Sequence, residues 1–116
     1  KNYEYIVDKI MFIRAIQNII QNAINYGKEN GKIEIESFEK SEYFAIKVKD
    51  DGIGIAEENL QKIWDRFYQV DESRTTKSMG LGLSMVKLIV EKHEGYVEVE
   101  SELGKGTVFT LYFKKL

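Results

Sequence analysis

The sequence predicts an α+β domain: a two-layer sandwich in which a mixed, mostly antiparallel sheet is covered on one face by three helices. The length of 116 residues suits one domain and is too short for two, so residues 1–116 are expected to form a single domain. Segments with a helical period of apolar residues are interleaved with pairs of segments that have a strand period. Six of the nine glycines form three G-x-G pairs at the edges of these segments.

Three segments have the helical period: residues 9–26, 57–67 and 82–93. Asp8 is placed to cap the first helix, and Gly27 and Gly31 are placed to end it. Gly95 follows the third helix in the same way. On the first helix, isoleucines spaced three or four residues apart are expected to form one apolar stripe: Ile10, Ile13, Ile16, Ile20 and Ile24.

The strand period appears in five segments: residues 3–7, 32–38, 43–49, 97–101 and 107–113. The second and third are separated by a polar turn, and the last two by a turn around Gly104 and Gly106, so each pair is expected to form an antiparallel hairpin. Ile33, Ile35 and Ser37 would share one face of their strand. The sheet face without helices is expected to be more polar and exposed.

Composition excludes several classes of protein. The chain contains no cysteine and one histidine, His93, which excludes a disulfide framework, a thiolate or multi-histidine metal site and a Cys nucleophile. The net charge of −2, with 31% charged residues, argues against a general nucleic-acid binder. No apolar run is long enough to cross a membrane, and no signal-peptide pattern opens the chain. Because residue 1 is lysine, the chain is expected to be a fragment of a longer protein.

A polar stripe on the first helix is a candidate metal site. Arg14, Asn18 and Asn22 are spaced four apart and share one face, which Gln17, Gln21 and Asn25 widen. A carboxamide oxygen is a neutral ligand, and it suits Mg²⁺ whose other ligands are phosphate oxygens and water. A solvated helix face would show the same pattern, so both interpretations stand.

Two glycine loops are candidate ligand sites. Asp50 ends a strand before Gly52 and Gly54, where a carboxylate could accept a hydrogen bond from an exocyclic amine; a turn-forming aspartate is the alternative, and it is preferred for Asp51. Gly80 and Gly82 open the third helix, whose N-terminus favours phosphate. Arg74 and Lys77 in the preceding loop could reach phosphates or remain solvated surface charges.

These elements, in this order, resemble the ATP-binding catalytic domain of sensor histidine kinases, in the Bergerat or GHKL superfamily shared with type II topoisomerases, Hsp90-type chaperones and MutL-type repair proteins. The resemblance covers residues 8–113. It implies a Bergerat-type ATP-binding fold. The matching motifs are an N box at residues 18–26, a first glycine box at residues 50–54, an F box at residues 66–68, a second glycine box at residues 80–83 and a last one at residues 104–107.

The resemblance implies a role for each matching residue. Asn22 would hold Mg²⁺ on the triphosphate of ATP with support from Asn18, and Asp50 would accept the adenine amino group. Residues 70–79 would form a lid over ATP, which Phe67 of the F box would anchor. The remaining nucleotide-binding residues would be Asn25, Tyr26, Gly52, Gly54, Ile55, Lys77, Gly80, Leu81, Gly82, Leu83 and Thr107.

The resemblance also implies the reaction and the partners. Mg–ATP would donate its γ-phosphate to a histidine on a separate dimerisation domain of the same kinase, for relay to an aspartate on a response regulator. Related ATPases have a water-activating glutamate where this chain has Asn18, and a carboxamide cannot act as a general base, so phosphoryl transfer is favoured over hydrolysis. The fragment would be a cytoplasmic monomer that binds no nucleic acid, from a homodimeric membrane sensor.

Two alternatives stay open, and departures from the family pattern at two positions favour the second, a degenerate module. Asn25 stands where a lysine is common, and Gln69 stands where an arginine is common. The alternatives are a serine kinase of the anti-sigma-factor type and a catalytically degenerate nucleotide-binding or scaffolding module. His93, beside the helix-ending Gly95, is expected to have a structural role at the helix C-terminus rather than to accept phosphate.

Overall fold

The structure is a computed structural model that describes residues 9–27, 30–65 and 82–115. It confirms the α+β fold. The described elements are helix α1 (Lys9–Asn25), strands β1 (Ile33–Lys40) and β2 (Tyr43–Asp50), two 3₁₀ segments (Glu57–Asn59 and Lys62–Trp64), helix α2 (Gly82–Lys92), and strands β3 (Tyr96–Glu102) and β4 (Gly106–Lys114). No helix among these residues has the length and apolar character needed to cross a membrane.

The four described strands form one sheet in the order β1-β2-β4-β3, and every neighbouring pair is antiparallel. Both predicted hairpins, β1–β2 and β3–β4, are therefore present. They join through β4, which lies between β2 and β3. The register pairs Asp50 with Thr107 and Ser101 with Thr107, so these three residues lie side by side across three strands. The strand predicted at residues 3–7 lies outside the described residues.

The core lies between the sheet and the two helices. Val48, Phe109, Leu111 and Phe113 supply the sheet side, and Val86, Ile89 and Val90 supply the α2 side. From α1 the buried residues are Ala15, Ile19 and Ala23. Of the predicted isoleucine stripe, Ile16 packs against the core, whereas Ile10, Ile13 and Ile24 are exposed by 71%, 43% and 57%, so the stripe is not the buried side of α1. The small side chains of Ala15 and Ala23 let α1 approach its neighbours closely. A search for bulky apolar residues therefore does not find the buried side of this helix.

The helix predicted at residues 57–67 is also wrong as far as it is described, which is to residue 65. The chain forms two single-turn 3₁₀ segments there, closed by bonds from Leu60 N–H to the Glu57 carbonyl and from Asp65 N–H to the Lys62 carbonyl. Ile63 is buried and the Trp64 ring packs edge-on against Phe109, with centroids 5.7 Å apart. The apolar residues that suggested a helix are used to fasten this irregular segment to the core.

The sheet face away from the helices is less polar than expected. Phe38, Tyr43, Tyr96 and Tyr112 form an aromatic cluster there, with the Tyr96 and Tyr112 rings stacked 4.3 Å apart. Burial, together with a 2.8 Å hydrogen bond from its hydroxyl to Glu98, raises the pKa of Tyr112 to about 12. Strand β1, at the edge of the described sheet, is exposed at every position except Phe38, including Ile33, Ile35 and Ser37.

Candidate functional site

The loop after β2 is fixed in place by close backbone packing. Ile53 N–H donates to the Tyr26 carbonyl over 3.1 Å, which ties the loop to the end of α1. A Cβ on Gly52 would lie 2.3 Å from the same carbonyl oxygen, so no larger residue fits. Gly104 N–H donates to the Ile53 carbonyl over 2.8 Å and ties the loop to the β3–β4 turn. The predicted site residues Tyr26, Gly52 and Gly54 are therefore brought together.

Gly54 shows why glycine is required in this loop. Its φ of +78° lies in the left-handed region, and a Cβ there would lie 2.2 Å from the Glu102 carbonyl oxygen. Backbone conformation and close approach therefore both demand glycine. Gly104 has a similar φ of +83°, but nothing lies within 4 Å of its Cβ position.

Asp50 is a buried carboxylate at the end of β2, with 6% of its surface exposed. The Gly52 N–H donates to Asp50 Oδ1 over 2.8 Å. Burial raises the pKa of Asp50 above its ordinary value, hydrogen bonds from the backbone of Gly52 and Thr107 oppose that rise, and the neighbouring Asp51 adds to it. A carboxylate desolvated in this way is a strong acceptor for a ligand donor.

Ser101 belongs to none of the sequence motifs, yet it connects the loop to β4. Its hydroxyl accepts the Ile55 N–H over 2.7 Å, lies 2.7 Å from the Thr107 hydroxyl and donates to the Gly106 carbonyl over 2.9 Å. The alternation of side chains along the strands could have identified Ser101, because it places Ser101 on the same sheet face as Thr107. We call Asp50, Gly52, Gly54, Ser101 and Thr107 the Asp50 cluster.

Asp51 and Ile55 have roles that are visibly structural. Asp51 Oδ1 accepts the Lys32 N–H over 2.8 Å and so joins the loop to the chain just before β1, in agreement with its interpretation as a turn residue. Ile55 is 8% exposed and belongs to the core. Leu83, another predicted site residue, also packs against the core while remaining half-buried.

The polar stripe of α1 divides into two parts. Asn18 and Asn22 are half-buried, whereas Arg14, Gln17 and Gln21 are exposed. Asn25 is half-buried and accepts a 2.9 Å hydrogen bond from the Gln21 side chain. The position of a Cβ on Gly82 lies 3.9 Å from Cβ and Cγ of Asn18, so the start of α2 adjoins the middle of α1. We call Asn18, Asn22 and Gly82 the α1–α2 junction.

A pocket of about 210 Å³ lies on a different side of α1. It is lined by Ala23, Ile24 and Gly27, by residues 30–33, and by Asp50 and Asp51. Of the predicted site residues it contains Asp50 alone. Ile24 is about 200° around the helix from Asn22, so this pocket does not include the α1–α2 junction.

Several predicted site residues lie outside the described residues: Phe67, Lys77, Gly80 and Leu81, the expected lid at residues 70–79, and Arg74 and Gln69. His93 is described. Its Nδ1 lies 2.8 Å from the Ile89 carbonyl oxygen, and its ring packs edge-on against Phe113 with centroids 5.7 Å apart. These contacts agree with the structural role expected at the end of α2.

Fold and site together define a two-layer α+β domain with a glycine-lined polar site at one end of the helical layer. The family model described as histidine kinase-, DNA gyrase B- and HSP90-like ATPase matches residues 7–116. The chain therefore belongs to this ATPase family, and membership implies that it binds ATP.

The individual relatives are named as a sensor protein and as histidine kinases. The chain is 43% identical over 104 residues to the sensor protein SrrB of Staphylococcus aureus, a match that covers 88% of this chain and 18% of SrrB. The chain thus spans about a fifth of the length of that curated relative. The catalytic domain of histidine kinase ThkA has a TM-score of 0.80 at 32% identity, covering 94% of this chain and 69% of that one. The mycobacterial sensor histidine kinase MprB, at 24% identity, shares the fold with a TM-score of 0.86 over 96% of this chain and 76% of that one.

Proposed function

We propose that this chain is the catalytic domain of a sensor histidine kinase. It binds Mg–ATP and donates the γ-phosphate to a histidine on a separate dimerisation domain, for relay to an aspartate of a response regulator. The observation that carries the proposal is Asp50, a buried carboxylate in a glycine-lined loop next to the end of α1. That arrangement suits a flat base carrying an exocyclic amine.

The Asp50 cluster binds the adenine in this proposal. The Asp50 carboxylate accepts the 6-amino group, and Gly52 and Gly54 keep the loop packed against its neighbours. Thr107 supplies a second oxygen beside Asp50, because the two residues are paired in the register of β2 and β4. Tyr26, whose carbonyl fastens the loop, lies one helical turn from Asn22, so the base and the phosphates are held by the same helix.

The α1–α2 junction binds the phosphates in this proposal. Asn18 and Asn22 are half-buried carboxamides one turn apart on the side of α1 that adjoins the start of α2. These neutral oxygen donors fit a magnesium ion whose other ligands are phosphate oxygens and water, and Asn22 is the proposed ligand. The ion would supply neutralising charge on the phosphate oxygens. The N–H groups at the start of α2 add to that neutralisation.

Transfer rather than hydrolysis follows from the same residues. The carboxamides of Asn18 and Asn22 cannot take a proton from water. Phosphoryl transfer requires in-line positioning and charge neutralisation, and both can be supplied without a base. The bond from the γ-phosphorus to the β–γ bridging oxygen breaks while a bond to an imidazole nitrogen forms, and ADP leaves.

The accepting histidine belongs to another domain in this proposal. His93 follows the 11 residues of α2, so it stands about 16 Å along the helix from Gly82. Its Nδ1 is also engaged with the Ile89 carbonyl. Both the length of α2 and this contact argue against transfer from the α1–α2 junction to His93. The parent protein, in this proposal, is a homodimeric sensor with this domain on the cytoplasmic side.

Calorimetric titration of ATP, ADP and GTP, with and without Mg²⁺, tests nucleotide binding. We expect adenine-selective binding, and Asp50→Asn should weaken it about 10- to 100-fold, because a charge-assisted hydrogen bond is lost. Asp65→Asn, at an exposed aspartate, is the matched control. Unchanged ATP affinity in Asp50→Asn would rule out the base assignment.

Transfer is tested with γ-labelled ATP and the parent kinase's own dimerisation domain as acceptor. We expect an acid-labile phosphohistidine on that domain and none on this chain. Acid-stable phosphoserine on a different protein substrate would support the serine-kinase alternative. Tight ATP binding without transfer to any acceptor would support a degenerate module, the alternative that Asn25 keeps open.

A further inference from the structure

The Ser101 hydroxyl determines which way the Thr107 hydroxyl points. The Gly106 carbonyl can only accept, so all three contacts of Ser101 are satisfied together only when its single proton goes to that carbonyl, 2.9 Å away. Its oxygen must therefore act as the acceptor for its other partners, the Ile55 N–H and the Thr107 hydroxyl, each 2.7 Å away. It follows that Thr107 donates its own proton to Ser101 and has only lone pairs left for any other group.

The Thr107 hydroxyl is thereby held as a hydrogen-bond acceptor, next to the Asp50 carboxylate, which is a second acceptor. Asp50 and Thr107 are register partners on the same sheet face, and both are 6% exposed. Side chains paired in this way have Cβ atoms about 5 Å apart. The position of the Thr107 proton cannot be changed without breaking a hydrogen bond in a site that is largely withdrawn from water.

We propose that Ser101 is a positioning residue that sets selectivity for adenine over guanine, by holding the Thr107 hydroxyl as an acceptor. This inference rests on the proposed function, in which the Asp50 cluster binds the base. Adenine presents an amino group at position 6, which donates to two acceptors directly or through water. Guanine presents a carbonyl oxygen there, which meets two acceptors and no donor. Specificity then comes from rejecting the wrong base as well as from binding the right one.

Ser101→Ala removes the group that receives the Thr107 proton. The Thr107 hydroxyl can then rotate and donate to a carbonyl oxygen, so guanine becomes acceptable. We expect the ratio of ATP to GTP affinity, measured by calorimetry, to fall at least about fivefold, the equivalent of one neutral hydrogen bond. Ser101→Thr keeps the hydroxyl and should retain most of the ratio.

The matched control is Ser37→Ala, the same chemical change at an exposed position of β1. It should leave both affinities unchanged. If Ser101 merely holds the loop through Ile55, then Ser101→Ala weakens ATP and GTP by the same factor. An unchanged ratio would therefore overturn the inference, even where both affinities fall.

A second variant keeps the test decisive if Ser101→Ala does not fold. Thr107→Val removes the oriented acceptor and should lower the ratio by a similar factor, whereas Thr107→Ser should preserve it. In the Thr107→Val background, Ser101→Ala should leave the ratio unchanged. A Thr107→Val variant with the ratio of the natural chain would overturn the inference, while the natural chain lacking any preference for ATP would overturn the proposed function itself.

Discussion

The Asp50 cluster and the α1–α2 junction lie at two ends of one proposed site, and they are built in different ways. In the Asp50 cluster, glycines contact carbonyl oxygens directly and one hydroxyl joins three segments of chain. At the junction, Asn18 is 3.9 Å from the Gly82 Cβ position, and the asparagines are half-buried. The first region is held together by these close backbone contacts, whereas the second is an ordinary van der Waals contact beside half-buried carboxamides. Substitutions of the tightly packed loop glycines should therefore act on stability, whereas substitutions at the junction should act on binding.

The largest effect should come from Gly54→Ala, with Gly104→Ala as its control. Both glycines have φ near +80°, so each alanine pays about 1–2 kcal/mol for the left-handed backbone. At Gly54 the new Cβ would also lie 2.2 Å from the Glu102 carbonyl oxygen, and we expect a loss of at least about 3 kcal/mol. Urea unfolding measures the free energy of unfolding of both variants. Equal losses would mean that the close approach of Gly54 to the Glu102 carbonyl contributes nothing.

Asn22→Ala should act on binding instead. We expect ATP affinity to fall about tenfold with Mg²⁺ present and to change little in EDTA, because the lost oxygen is the proposed metal ligand. Gln17→Ala, on the exposed part of the same helix, serves as the control and should leave affinity unchanged. An equal loss in EDTA would argue for a direct role in nucleotide contact or in folding.

The sequence predicts structure correctly where one local pattern determines one structure. The helices at residues 9–26 and 82–93 and both hairpins follow from apolar period and turn residues, and the observed bounds agree within a few residues. The order of strands was not accessible, because no local pattern shows that β4 lies between β2 and β3.

The site was predicted unevenly for a physical reason. Asp50, Asn18, Asn22 and the glycines could be named because each belongs to a short motif. Ser101 could not, since its importance arises from partners up to 46 positions away, such as Ile55. The core side of α1 was missed for a related reason: alanine is a weak signal in sequence, but its size decides how closely a helix packs.

A smaller effect concerns pH. Because burial raises the pKa of Asp50 above 3.8, the folded chain binds this proton more tightly than the unfolded chain. The free energy of unfolding of the natural chain, minus that of Asp50→Asn, should therefore fall as pH rises from 3.8 through the raised pKa, and stay constant above it. Urea unfolding at several pH values measures this difference. A difference that grows over that range would show that the hydrogen bonds from Gly52 and Thr107 outweigh burial.

The smallest effect should be that of Gly82→Ala on stability. The new methyl group would make an ordinary contact with Asn18 at 3.9 Å, at the first residue of α2. We expect the free energy of unfolding to change by about 0.5 kcal/mol or less, since alanine also favours the helix. Thermal unfolding checks this change. A loss of stability as large as that of Gly54→Ala would remove the contrast between the Asp50 cluster and the α1–α2 junction.

The insertion of β4 between β2 and β3 has a consequence for synthesis on the ribosome. Translation delivers β1, β2, α2 and β3 before β4, so the nascent chain lacks the strand that holds the sheet together. Until residues 106–114 have left the exit tunnel, Asp50 has no Thr107 beside it and the core has no Phe109 or Phe113. Such a chain exposes apolar surface and unpaired strand edges, which are the features that chaperones recognise. Release of β4 therefore completes the four-stranded sheet and the proposed adenine site in the same event.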